Sequence, residues 1–285
     1  MIRKNNLIIG TANFFTPYGV NSTWVSVIKK KKIFLYLQKN KINFFDISDS
    51  YGNIAKNDFF LKKKFKKIIF KFRLKNINNF TNDINKTIKN LNINKIYCFM
   101  FHNEKELFSK KGKIILQKAN EYKIKKKFFQ NIGVSIYSVN TLKKIIKNKI
   151  KIDIVQLPLN ILNQSFSKEI LHKANLRGIK IHARSIFLQG LLLNKTSKID
   201  NKVFKRKLSD LDFLTKKNKT SRLYECLNFI SSFKYIDKIV IGVDNMFQLK
   251  DILNALKIKR RKYDYSKFAI KNENLIDPRK WKKKH

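Results

Sequence analysis

Residues Asn43 to Asn53 read NFFDISDSYGN, and the parsing of this stretch decides the fold. Phe44, Phe45 and Ile47 make an apolar run interrupted by a carboxylate at Asp46, and Tyr51-Gly52 then marks a turn. A short, near-continuous apolar run suits a strand buried on both faces, as parallel sheets require. The pattern recurs at Leu7 to Ala12, Ile68 to Phe72, Ile96 to Phe101, Ile132 to Ser135, Ile152 to Leu157, Ile179 to Ser185 and Lys238 to Val243. Eight strands are therefore expected.

Helical spacing fills the gaps between them. Ile84, Ile88 and Leu91 share one helix face, and Val139, Leu142 and Ile146 follow a serine suited to capping, Ser138. Gly178 supplies a stop after Ile170, Leu171 and Ala174, while Ser221 precedes Leu223, Cys226, Leu227 and Ile230. Met246, Leu249, Leu253 and Leu256 complete the set. This alternation predicts a single-domain α/β fold over residues 1–285, a (β/α)8 TIM barrel. A doubly wound open sheet is the alternative, but no G-x-G-x-x-G turn follows the first strand. Strand starts fall roughly 25 to 35 residues apart until the seventh, and the next interval is about twice as long. The excess, from Leu191 to Lys219, is expected as a loop insertion at about 190–218 over the active face. Residues from about 260 to 285 are expected as a basic, solvated tail.

Composition narrows the function. Lys and Arg total 64 against 19 Asp and Glu, a net charge of +45 that would suit a phosphate-binding surface. The lysines, however, are dispersed along the chain and greatly outnumber the arginines that would form bidentate phosphate forks. Lys, Asn, Ile, Phe and Tyr also share AT-rich codons, so the charge reads as coding bias laid over an ordinary fold, with no specific nucleic-acid partner. No apolar run approaches the roughly 18 residues that span a bilayer, so no membrane association is expected. Cys98 and Cys226 lie in apolar patterns and fit a reduced, cytoplasmic protein. His172, His182 and His285 lack metal-like spacing, and no metal is assigned. The sequence carries no signal for oligomeric state.

In such barrels chemistry gathers where strands end. Asp46 ends the second strand, Lys71 the third and His102 the fourth, with Tyr51 just beyond the second. Singly, each has an ordinary reading: a capping aspartate, a turn aromatic, a lysine in a lysine-rich chain, a loop histidine. Together they form a set suited to carbonyl reduction. A phenol is a weak acid, a nearby ammonium lowers its pKa, and a carboxylate keeps that ammonium charged. A histidine orients the substrate carbonyl. The hydride must come from a cofactor, because no side chain supplies one. Arg184 and Ser185 end the seventh strand, a position for a phosphate or cofactor contact.

These motifs resemble the aldo-keto reductase family along most of the chain. IIGTANFF resembles its opening G-T-A strand, which implies cofactor contacts at Gly10 and Thr11. FFDISDSYGN resembles D-T-A-x-x-Y-G, and Lys71 and His102 match the lysine and histidine that complete the family's catalytic tetrad. NIGVSIYS and VQLPLNILNQ resemble strands that hold the nicotinamide amide, which implies that role for Ser135 and Gln156. ARSIFLQGLLL resembles the R-S-x-F-x-Q-G-L-L motif of a bacterial branch associated with sugar and surface-polysaccharide genes. VIGVDNMFQLKDIL resembles the strand-eight cofactor loop, which implies that Gly242, Val243, Asp244 and Gln248 face the adenosine phosphate. The resemblance implies a barrel using NADP(H), with NAD(H) as the second option, to reduce an aldehyde, ketone or sugar carbonyl with Tyr51 as proton donor. A catalytically decayed barrel acting as a binding or regulatory module is the competing expectation. Three departures stand out: Ile136 replaces an expected Asn, Asn53 to Asp58 lack an acidic S-E pair, and no Lys or Arg follows strand eight directly, leaving Lys250 as the nearby cation.

Overall fold

The computed structural model describes residues 2–19, 24–51, 67–73, 78–125, 127–194 and 201–281. Gly52, Asn53 to Asp58, residues 195–200 of the expected insertion and residues 282–285 of the expected tail, His285 included, lie outside them. Eight strands follow the sequence pattern: β1 Leu7–Gly10, β2 Phe44–Ser48, β3 Lys67–Phe72, β4 Ile96–Phe101, β5 Phe129–Ser135, β6 Ile154–Pro158, β7 Lys180–Arg184 and β8 Ile236–Ile241. Each pairs in parallel with the next, and β8 pairs with β1 to close the barrel. The longer helices are α1 Val27–Lys39, α2 Phe80–Asn90, α3 Lys110–Ile124, α4 Val139–Lys147, α5 Lys168–Leu176, α6 Lys202–Asn218, α7 Arg222–Ser231 and α8 Met246–Lys257. The chain is thus the (β/α)8 barrel that its alternation predicts.

Two apolar cores follow from the two-residue period of a strand. In β4, Phe99 and Phe101 turn outward into the large core beneath the helices. Cys98 and Met100 turn inward, where Ile8, Phe44, Ile69 and Ile154 join them to fill the lumen. Gly133 of β5 belongs to this layer: a Cβ there would stand 2.9 Å from Met100 Cε and 3.0 Å from the Ile154 carbonyl oxygen. His182 of β7 is fully buried, edge-on to Phe44, and neither ring nitrogen has a hydrogen-bond partner among the described residues.

Two expectations about the outer segments are corrected. The insertion is not a loop throughout, because residues 202–218 form α6, with Asn201 accepting hydrogen bonds from the Val203 and Phe204 amides as its cap. Phe204, Leu208, Leu211 and Leu214 recur at helical spacing on its buried face, and the lysines between them obscured that stripe. The described part of the tail, up to residue 281, is not solvated throughout either. Tyr265, Phe268, Ile270 and Ile276 are buried, and each such side chain contributes roughly 1.5–3 kcal/mol of burial. Tyr265 donates to Glu225 Oε2 at 2.5 Å and accepts from Asn228 Nδ2 at 2.8 Å, which ties the tail to α7.

Candidate active site

Strand register brings Asp46 and Lys71 to the same end of the lumen, where Ser48 of β2 lies opposite Lys71 of β3. Lys71 Nζ stands 2.7 Å from Asp46 Oδ1, and both side chains are almost wholly buried. Two buried charges of opposite sign are tolerable only when their remaining lone pairs and protons are also satisfied. Gln156 of β6 does this from across the barrel. Its Nε2 donates to Asp46 Oδ2 at 2.8 Å, and its Oε1 accepts from Lys71 Nζ at 3.4 Å. Thr11 holds β1 against the same place, its amide and hydroxyl both donating to the Asp46 carbonyl.

Tyr51 returns over this pair. Its amide donates to the Ser48 carbonyl, and the Lys71 ammonium lies 5.4 Å from the ring centroid. Burial pushes the Tyr51 phenol up to about 12, while Lys71 pulls it down. The lysine thus acts in the direction expected from the sequence, but burial outweighs it. Burial also opposes the Lys71 ammonium, yet Asp46 and Tyr51 prevail and hold its pKa above the ordinary lysine value. The result is a protonated phenol facing a fixed cation.

His102 meets Tyr51 edge-on, with centroids 6.2 Å apart. Burial, then the charges of Lys71, Arg73 and Arg184, bring its pKa down to about 3, so the imidazole is neutral at physiological pH. Its Nδ1 lies 2.9 Å from Ser48 Oγ and 3.4 Å from Ser50 Oγ, whereas Nε2 has no partner among the described residues. Sequence reasoning missed both serines. Their alternation with acids in DISDS was the available signal, because it turns Ser48 and Asp46 to the same side of the strand.

A cavity of about 980 Å³ opens from this centre. Asp46, Tyr51, Lys71 and Gln156 form its inner end over Gly10, Arg184 and Ser185 border it at β7, and Gly242, Asp244 and Gln248 line its β8 wall. Thr11, His102, Ser135 and Val243 stand outside that lining. Val243 is buried behind the wall and accepts from Asn13 Nδ2, which also donates to Asp244 Oδ1. Asp212, Thr215 and Lys216 of α6, from the corrected insertion, also line the cavity, as does Arg222 at the start of α7. After β7 the backbone enters the left-handed region at Ser185, Leu188 and Gln189, then again at Gly190. Non-glycine residues held there cost on the order of 1–3 kcal/mol each and cluster where function over-determines the backbone.

With that geometry established, likeness to known proteins is informative. Residues 6–273 match the model of the aldo/keto reductase family. The chain belongs to that family. Aldo/keto reductases are oxidoreductases of carbonyl compounds and generally use NAD(P)H. Among solved structures, the chain is similar to an aldo-keto reductase from Bacillus halodurans in its holo form, at 14% identity over 90% of this chain and 88% of that one, with a TM-score of 0.72. It is also similar to the glycerol dehydrogenase of Gluconobacter oxydans, at 14% identity over 92% and 89% of the two chains, with a TM-score of 0.70. At such identities the likeness is one of fold. No curated protein matches the chain. No described helix is long and apolar enough to cross a membrane.

The cavity of this aldo/keto reductase fits a nicotinamide nucleotide. It is at the upper end of small-molecule and cofactor sites in volume. At Gly242 an added Cβ would meet nothing within 4 Å, so the β8 wall is open there. Ser135, buried at the end of β5, has a hydroxyl that no described protein group engages.

Proposed function

We propose that the protein reduces an aldehyde, ketone or sugar carbonyl with a nicotinamide nucleotide, NADP(H) or NAD(H), and that Tyr51 is the proton donor. The observation that carries this reading is the buried Lys71–Asp46 pair facing the Tyr51 ring. When bound, the nucleotide supplies the hydride that goes to the carbonyl carbon. Tyr51 gives its hydroxyl proton to the carbonyl oxygen, and the phenolate left behind is stabilised by Lys71. Asp46 keeps Lys71 charged, and Gln156 fixes the carboxylate that does so. If Ser48 donates to Nδ1, His102 carries its proton on Nε2, the nitrogen free to donate to the substrate oxygen. In this reading Ser135 and Gln156 would hold the nicotinamide amide, and Gly10, Thr11 and Ser185 would support the nucleotide. Gly242, Asp244 and Gln248 of the segment after β8 would face the adenosine end, with Val243 buried behind them as support. Free, buried Cys98 and Cys226 fit a reducing compartment, and we place the protein in the cytoplasm.

The test is fluorescence titration with NADPH and NADH, followed by nucleotide oxidation in the presence of aldoses and simple aldehydes. Binding with turnover is expected. Binding without turnover on any carbonyl would instead favour a barrel that keeps its cofactor but not its chemistry, and no binding would remove the reading altogether.

A further inference from the structure

We propose that the carbonyl substrate carries an oxyanion, a carboxylate or a phosphate, and that Arg184 grips it beside the reacting carbonyl. This rests on the reading of the site as a carbonyl reductase. Arg184 ends β7 and lines the same cavity as Gln156 and Tyr51. Its guanidinium carbon lies 3.9 Å from the centroid of Tyr137, and its Nη2 donates to the Ile136 carbonyl at 3.1 Å. Beyond a long contact to Ser185 Oγ at 3.5 Å, no described group takes up its remaining donors, and no carboxylate pairs with it. The other cations of the cavity are differently placed. Lys71 is held by Asp46, Arg222 is gripped by both oxygens of Asp212, and Lys216 is exposed. Arg184 is half-buried; the Asp277 carboxylate feels its charge, but both oxygens of that carboxylate are bonded to Arg279, and no described side chain takes up the remaining Arg184 N–H donors at ordinary hydrogen-bond distance. Such a group is costly unless something pairs with it, and a bound oxyanion would.

The guanidinium is also held in place, as a substrate fork must be. Arg279 lies 3.1 Å from the same Tyr137 centroid. Two guanidinium carbons so near one centroid cannot share a face, so the tyrosine is clasped between them. Asp277 chelates Arg279 through both oxygens, and Glu104 accepts from the Tyr137 and Ser138 amides. Arg279 is therefore a positioning residue supplied by the C-terminal segment. With one face on the ring, Arg184 offers the cavity its N–H edge, the geometry that matches carboxylate and phosphate oxygens. Its neighbours also separate substrate from cofactor phosphate. The guanidinium lies on the β5 side of its strand, against Tyr137, whereas the cavity extends towards β8, α6 and α7. Its charge reaches His102, the residue assigned above to orient the carbonyl, as do those of Lys71 and Arg73.

The test measures kcat/KM for matched substrates that differ only in the anion: succinic semialdehyde against butanal, and glyceraldehyde 3-phosphate against glyceraldehyde. At least one anionic member should be preferred, and the arm showing the preference tells carboxylate from phosphate. Arg184→Gln should shrink that preference by about 10- to 100-fold, mainly through KM, as loss of a charge-assisted contact dictates. Arg279→Gln should shrink it less, again through KM, and Arg184→Lys should restore only part. Equal turnover within both wild-type pairs would overturn the proposal while leaving carbonyl reduction intact. So would an Arg184→Gln variant whose nucleotide affinity falls while its anion preference persists. No turnover on any of the four would overturn the proposal together with the reading beneath it.

Discussion

Replacing Asp46 with asparagine isolates the buried ion pair without changing its shape. Asp46 accepts two hydrogen bonds, from Lys71 Nζ at 2.7 Å and Gln156 Nε2 at 2.8 Å. An asparagine offers one acceptor oxygen and one NH2, so either Lys71 or Gln156 must face a donor. Flipping Gln156 relieves one clash only by turning its own NH2 towards Lys71. The Coulomb attraction at 2.7 Å is about 6 kcal/mol at an effective dielectric near 20, and burial of both groups leaves it little screened. Offsetting the desolvation already present, the net loss should be about 3–5 kcal/mol, as for other buried pairs stripped of one partner. The pH dependence has a definite sign. In wild type the Lys71 pKa is raised, so its contribution is fully present below the ordinary lysine value and is lost only as pH rises past the folded one. In Asp46→Asn, burial is opposed only by Tyr51 and the lysine pKa falls, so the variant recovers as pH rises and the ammonium deprotonates. Urea unfolding of both proteins at pH 7 and pH 9.5 measures this. A loss below about 1 kcal/mol at pH 7, or a gap that widens with pH, would refute the argument.

Further expectations concern the lumen, the tail and the acid limb. His182 is fully buried with both nitrogens unpartnered and a pKa depressed to about 3, so His182→Met should be neutral or stabilising by about 1–3 kcal/mol at pH 7 in thermal melts. Because His102 and His182 both have depressed folded pKa values, stability should fall as pH drops from about 6.5 towards about 3, checked by melts across that range. The kcat/KM profile, which reports the free enzyme, should show no His102 inflection between pH 5 and 8, since burial and the nearby cations hold that imidazole's pKa down to about 3. Phe268→Ala should destabilise by about 3–5 kcal/mol in urea melts, whereas a tail that merely floats in solvent would tolerate it.

The barrel was legible because its strands are apolar on both faces, so runs such as Ile96 to Phe101 stood out from the polar segments around them. Helix ends were legible where short side chains cap them: Ser138 accepts from the Asn140 amide, Ser221 from the Tyr224 amide, and Gly178 takes a positive φ of 72° after α5. Asp46 and Lys71 were legible as charges set inside apolar strands, where only a partner makes them tolerable. What escaped was pairing between distant residues. Nothing near Gln156 announces that its amide closes on Asp46, and nothing near Tyr265 announces Glu225. Arg279 was read as part of a solvated basic run because a guanidinium stacked on Tyr137 is indistinguishable, in sequence, from one in water. α6 escaped because coding bias towards lysine diluted its apolar stripe.

The central claim is that Tyr51 is the acid that protonates a carbonyl oxygen under the influence of Lys71 and Asp46. Its most direct test is the rate of NAD(P)H oxidation by Tyr51→Phe against wild type on the best carbonyl found, with nucleotide binding measured alongside. Loss of a general acid predicts a fall of about 10²- to 10⁴-fold in kcat with nucleotide affinity retained. A Tyr51→Phe protein that reduces the carbonyl as fast as wild type would contradict the account.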